Sequence, residues 1–409
     1  MYNVGDLAML IMDVERTHAL FPDATLYVPT QPANWVARFC PAATQVSSSG
    51  FYRLSWRRLL PGRIARTFPS LDKWERRWLL RNADSYLRAV AWRNRVREGV
   101  NPDTDRELTL LRNTTLVIAA GGGYLNDTFA GPAFRGTKVL LLAQSLGIPT
   151  ALFGQGLGPI ERPDTREVIG TMLSRAHLIG MREGLFGPKL ARDLGVSADH
   201  LEVTGDGALD LAARQRTTEL GSYLGFNLRL ANYANTKQAD LSEIAQVISE
   251  FANGLGISVM PCPISFDERS PDEAAVRSRI SPSTQIFPDA CPFDPLEVMR
   301  RVGRCRVVVT GSYHAAVFAL AQGIPVVGLA ASQYYSSKFS GVAGLFGAAM
   351  TVLELDRPDA AKALAELLAQ YWRGAGTLRD ACLAAADQQR QSTQRAWSRL
   401  PMIASSMPR

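Results

Sequence analysis

CRVVVTGSYHAAVFALAQGIPVVGLAASQYYSSKFSGVAGLF, residues Cys305–Phe346, reads as strand, turn, helix, turn, strand, loop. Arg306–Thr310 is a β-branched run that suits a parallel strand buried on both faces. Gly311-Ser312 interrupts it, and Tyr313–Gln322 has helical composition. Gly323 stands where a helix stop belongs, with Pro325 just beyond. Val326–Leu329 is the next strand, and Gln333–Lys338 is expected as a loop at the same edge. His314 falls at the strand-to-helix turn, the edge of an open α/β sheet where ligands bind. Such a histidine either packs the first helical turn or faces a ligand.

The alternation continues on both sides. Upstream, Thr25–Val28, Thr114–Ala120, Thr150–Phe153, His177–Gly180 and Leu201–Thr204 read as strands. Helical segments lie between them, among them Gly136–Leu146, Thr165–Arg175 and Leu185–Leu194. A second series begins at Tyr223–Leu228 and runs through Leu241–Gly254 and Ile257–Cys262. Strands alternating with helices predict parallel sheets. The strand ends collect polar residues and glycine: Gly122, Gly123 and Asp127, then Gln155, Arg182, Asp206 and Arg229. Gly121–Gly123 reads as a loop that either lets backbone N–H groups approach a ligand or makes a tight turn. Met1–Asp6 reads as the loop after a first strand, with no strand before it, and Asp6 as the N-cap of a helix over Leu7–Leu20. The predicted architecture is two Rossmann-like domains with parallel sheets facing across a cleft, the GT-B arrangement. A single large doubly wound domain is the alternative. The expected boundaries are 1–214, 223–355, C-terminal helices over 356–400 and a flexible tail over 401–409.

A chain of 409 residues with 46% apolar and 20% charged residues is ordinary for globular domains. The five cysteines have no metal or redox spacing, and the four histidines have no ligand-like spacing, so no metal is expected. No run reaches the roughly 18 apolar residues of a membrane span. A cytoplasmic location is expected. The net charge of +7 favours an anionic partner without implying nucleic acid. Phe51–Arg112 holds fourteen arginines and the tryptophans Trp56, Trp74, Trp78 and Trp92. It reads as a helical insertion packed on its domain, a basic amphipathic surface facing an anionic membrane at the inner surface or a lipid-linked, phosphate-bearing acceptor, or both.

Several segments together resemble the polysaccharide pyruvyl transferase family. They are Asn3-Val4-Gly5-Asp6, Ala119–Leu125 with Asp127, Gly154–Pro159, Met181-Arg182-Glu183, Thr204-Gly205-Asp206, Phe226–Arg229, Ser312–Ala315, Gly323–Pro325 and Lys338. The resemblance implies transfer of a pyruvyl group from phosphoenolpyruvate to a sugar of a cell-surface polysaccharide or its lipid-linked precursor, with no further cofactor. It implies His314, Asp6 and Asp206 as catalytic residues and Arg229, Ser312 and Lys338 as donor contacts. Asn3, Gly122, Gly123, Asp127, Gln155 and Arg182 would line the acceptor side or the cleft. The family pattern has an arginine where Ser312 stands. Two rival readings remain. One is a nucleotide-sugar glycosyltransferase, although Phe318 occupies the place of the ribose-binding glutamate of many such enzymes. The other is a family member that binds without catalysing.

Overall fold

The computed structural model describes residues 3–30, 34–47, 74, 77–79, 81–98, 102–229, 238–268 and 271–405. Trp56 and the rest of 51–73 therefore lie outside the described residues. The chain divides into two compact units assembled from interleaved segments. The first is Asp13–Gly180, Leu190–Glu202 and Ala396–Arg409; the second is Met1–Met12, Met181–Lys189 and Val203–Arg395.

In the first unit, β1 (Leu26–Pro29) and β2 (Ala43–Val46) form a small parallel pair. The main sheet has β3 (Val117–Ala119), β5 (Thr150–Leu157), β6 (Leu178–Met181) and β7 (Leu201–Val203) in that order. Beside it, β4 (Gly122–Leu125) pairs with β5. Here the expectation of a glycine loop fails. Gly122 and Gly123 belong to a strand, and β5 outruns the expected Thr150–Phe153 because it has two successive partners. Its beginning pairs with β3 and its end with β4. A core cluster of this unit gathers Ala151, Phe153 and Leu178 around Trp397, Leu400 and Ile403, and Phe153 stacks on Trp397 at 4.1 Å.

The second unit carries an all-parallel sheet. Its strands are β8 (Tyr223–Asn227), β9 (Val259–Pro261), β10 (Cys305–Thr310), β11 (Val326–Ala330) and β12 (Met350–Glu354). Their order is β12-β11-β10-β8-β9. Val307, Val308 and Val309 are all fully buried, as expected of a central strand covered on both faces. The helix Ala360–Trp397 lays Leu364, Leu368, Tyr371 and Ala375 against this core at helical spacing. The helix Tyr313–Ala321 is buried all round, which matches its nearly uninterrupted apolar sequence. Gly323 follows with φ +77°, the left-handed conformation of a helix stop.

Two expectations at this sheet edge are corrected. The N-terminal segment is not a loop: a helix begins at Val4 and runs to Leu20. Its cap is Asn3 rather than Asp6, because Asn3 Oδ1 accepts from Gly5 N at 2.9 Å and Asp6 N at 3.2 Å. Gln333–Lys338 is also not a loop, but the first turns of a helix over Gln333–Phe346. Its tyrosine, serine and glycine content gives weak helix propensity, which packing overrides. A Cβ on Gly341 would lie 2.8 Å from Glu183, and one on Gly344 would lie 3.1 Å from Leu185. The glycines thus let this helix sit directly on the turn that follows β6.

Candidate functional site

Eight of the twelve candidate residues fall in the second unit. They are Asn3, Asp6, Arg182, Asp206, Arg229, Ser312, His314 and Lys338. Each is delivered by a strand end or the first turns of a helix. Arg182 follows β6, Asp206 follows β7, Arg229 follows β8, and Ser312 and His314 follow β10. Lys338 comes from the second turn of Gln333–Phe346, and Asp6 from the first turn of Val4–Leu20.

The backbone of Val4–Leu20 approaches His314 unusually closely. A Cβ on Gly5 would lie 2.0 Å from His314 Cγ and 2.2 Å from Nδ1, so only glycine lets the imidazole rest there. Val4 N anchors this helix start by donating to Ile264 O at 3.0 Å. On the far side of the ring, His314 Nε2 stands 3.7 Å from Asp206 Oδ2, too far for a hydrogen bond. Both atoms are buried without a hydrogen-bond partner. The other oxygen, Asp206 Oδ1, accepts from Ala208 N at 2.9 Å.

The cations are held by aromatic rings. Arg182 lies 4.1 Å over the ring of Tyr313. Lys338 Nζ is 5.2 Å from Tyr313, 5.1 Å from Tyr334 and 5.7 Å from Tyr335. Such contacts favour a cation even out of water. Burial nevertheless pushes Lys338 down to about 7, with Arg182 adding repulsion. Burial also lowers His314 well below its ordinary value, helped by Arg182, Lys338 and Arg229, so the ring is neutral near pH 7. The carboxyls of Asp6 and Asp206 move the other way. Burial raises both, and the nearby cations only partly oppose it.

Hydrogen bonding separates structural carboxylates from available ones. Desolvating a carboxylate costs several kcal/mol unless donors compensate. Glu183 receives Leu185 N at 2.7 Å, Phe186 N at 2.9 Å and a short bond from Gly187 N, so it serves the turn. Asp272, which sequence reading did not single out, is equally well served. Its Oδ2 accepts from Asn227 Nδ2, Ile264 N and Ser265 N, and its Oδ1 from Arg229 Nη1 at 3.2 Å. Asp206 has one backbone donor and one oxygen facing His314, which leaves it capacity for a ligand. Ser312 is buried, and its N donates to Thr310 Oγ1 at 2.8 Å.

A family model described as polysaccharide pyruvyl transferase matches residues 3–333. The chain belongs to the polysaccharide pyruvyl transferase family. A search of curated proteins finds no match. Among solved structures, the chain is similar to a protein from Listeria monocytogenes described as a UDP-N-acetylglucosamine 2-epimerase. The two share 13% identity and a TM-score of 0.59, over 99% of this chain and 95% of that one. It is also similar to HepE of Anabaena in complex with UDP, at 12% identity and a TM-score of 0.55, over 97% and 96%. A third is UGT89C1 of Arabidopsis thaliana complexed with quercetin, at 11% identity and a TM-score of 0.51, over 96% of each. These likenesses establish the fold as GT-B type, with two Rossmann-like α/β domains, and the family membership makes the protein a transferase.

The remaining candidates lie in the first unit. Asp127 Oδ2 accepts from Glu161 N at 2.6 Å and Arg162 N at 3.0 Å, while its Oδ1 is buried without a hydrogen-bond partner. Gln155 Nε2 donates to Ala120 O at 2.9 Å and more weakly to Ala119 O and Phe153 O. Gly122 and Gly123 are paired into β4. In this unit Asp127 and Gln155 thus bind backbone groups of neighbouring segments, while Gln155 Oε1, like Asp127 Oδ1, is buried without a hydrogen-bond partner. The tyrosines and Asp272 carried no sequence signal: Tyr334 and Tyr335 sat in an expected loop, and Asp272 lies 43 residues beyond Arg229.

Proposed function

We propose that this protein is a pyruvyl transferase that takes phosphoenolpyruvate as donor and a sugar of a surface polysaccharide, or of its lipid-linked precursor, as acceptor. The observation that carries the reading is the grouping of Arg182, Arg229 and Lys338 around a neutral His314 that faces an unsatisfied Asp206 oxygen. Phosphoenolpyruvate brings a phosphate and a carboxylate, and three cations suit that double anion. Arg182, stacked on the residue after Ser312, puts a guanidinium beside the position where the family pattern has an arginine.

Binding of the anion offsets the cationic repulsion that adds to burial in keeping His314 neutral, and draws a proton onto it. In this reading His314 then protonates the methylene carbon, converting the C=C bond to a methyl group and leaving an oxocarbenium-like carbon. A sugar hydroxyl attacks that carbon and gives its proton to Asp206. Attack by a second hydroxyl breaks the bond to phosphate, forms the cyclic ketal and releases inorganic phosphate with the remaining proton. Asp6, at the start of Val4–Leu20, orients the acceptor hydroxyl. Phe318 is fully buried and apolar, so that position offers nothing to a ribose. The basic insertion contacts an anionic membrane, where a lipid-linked acceptor would lie.

The test is phosphate release from labelled phosphoenolpyruvate across a panel of sugar acceptors. Release that depends on both acceptor and His314 is expected. Failure of phosphoenolpyruvate either to react or to raise the melting temperature, alongside stabilisation by a nucleotide sugar, would overturn the donor assignment.

A further inference from the structure

Asp272 is a carboxylate of the second unit with four hydrogen bonds, and the proposed mechanism does not use it. It is fully buried, in the first turn of the helix Asp272–Arg277. Its Oδ2 gathers Ser265 N at 2.8 Å, Ile264 N at 2.9 Å and Asn227 Nδ2 at 3.0 Å, while Oδ1 takes Arg229 Nη1 at 3.2 Å. These four donors belong to two different parts of the site. Asn227 ends β8 and Arg229 follows it. Ile264 and Ser265 are the segment on which the N-terminal helix docks: Ile264 O receives Val4 N, and Ser265 bridges Asn3. Two residues past Asn3, Gly5 lies against His314, and Asp6 follows it.

We infer that Asp272 is a positioning residue that sets Arg229 and the Asn3–Asp6 turn relative to one another. Its carboxylate is bonded both to the proposed donor cation and to the receptor of the helix start. A neutral amide of the same shape cannot replace it, because Oδ2 accepts three N–H groups and Oδ1 a guanidinium. An amide nitrogen at either place would meet a donor with a donor. The ligand part of this inference rests on the proposed function; the structural part does not.

The experiment compares Asp272→Asn with Glu273→Gln, a neighbouring carboxylate that serves Arg277 and Cys291 N instead. Hydrogen–deuterium exchange is read without ligand on peptides covering 3–12 and 262–266. Asp272→Asn is expected to speed exchange in both at least tenfold, and Glu273→Gln in neither. With phosphoenolpyruvate, Asp272→Asn is expected to raise KM at least tenfold with a smaller fall in kcat. Combined with Arg229→Lys it should add little, since both changes loosen one contact. Should Asp272→Asn not fold, Asp272→Glu reads the same quantities, with the charge kept and the arm one methylene longer. Unchanged exchange in both peptides, or KM effects of Asp272 and Arg229 that simply multiply, would overturn the inference. If the wild-type protein ignores phosphoenolpyruvate, the donor assignment fails while the exchange result still decides the positioning role.

Discussion

Lys338 shows at the scale of one residue how the site is poised for an anion. Burial lowers it to about 7 from an ordinary 10.5. The unfolded chain therefore holds this proton over a window where the folded chain does not, so its contribution to stability rises with pH from about 7 to 10.5. A bound phosphate or carboxylate reverses the balance by favouring the ammonium. At pH 8 phosphoenolpyruvate should thus bind with net proton uptake. Calorimetry in two buffers of different ionisation enthalpy measures this directly. Lys338→Met should reduce the uptake and weaken binding roughly tenfold or more, whereas Lys338→Arg should reduce the uptake while keeping most of the affinity. Uptake equal in wild type and Lys338→Met would show that Lys338 does not recharge on binding.

Among elements, the contact between the helix starts at Val4 and Tyr313 is exacting. Gly5 has no strained backbone angle; what excludes a side chain there is the ring of His314. Gly5→Ala should cost about 1–3 kcal/mol of stability through overpacking and should displace the imidazole. Urea unfolding measures the first effect and phosphoenolpyruvate-induced thermal shift the second. A variant with wild-type stability and ligand response would show that this contact is loose in solution. Such contacts also mark where sequence reading ends. β10, the helix Tyr313–Ala321 and β11 were legible because valine runs and a Gly-x-Pro stop are local signals. The helix Gln333–Phe346 was not, since Tyr-Tyr-Ser-Ser and two glycines lower local propensity while packing on Glu183 and Leu185 supplies the stability. Gly121–Gly123 misled for the complementary reason: glycine marks a turn only where no neighbouring strand claims it, and β5 claims Gly122. His314, Asp206 and Arg229 were legible as family-motif residues at strand ends, and Lys338 as one in an expected loop that folds as a helix. Asp272 and the tyrosines were not, because their roles arise from contacts between elements far apart in the chain.

At the scale of the whole molecule the question is where a transferase of this charge works. No helix among the described residues is long and apolar enough to cross a membrane. The net charge of +7 is concentrated in the insertion, and the helix Ala83–Glu98 shows how it is displayed. Tyr86, Leu87 and Val90 are buried, while Arg88, Trp92, Arg95 and Val96 are exposed at helical spacing on the opposite side. Trp92 and Val96 are each 66% exposed, which is costly in water and favourable at a bilayer interface. Arginines near an anionic surface add about 1 kcal/mol each. Two apolar side chains and a few arginines give reversible binding rather than insertion. The protein should therefore sediment with vesicles containing phosphatidylglycerol, not with pure phosphatidylcholine, and should be released by high salt. Replacing Trp92 and Val96 by serine should lower vesicle affinity about tenfold while leaving phosphate release with a soluble acceptor unchanged. If the double variant bound vesicles as well as wild type, the apolar pair would be serving another surface and only the charge would remain as the attraction.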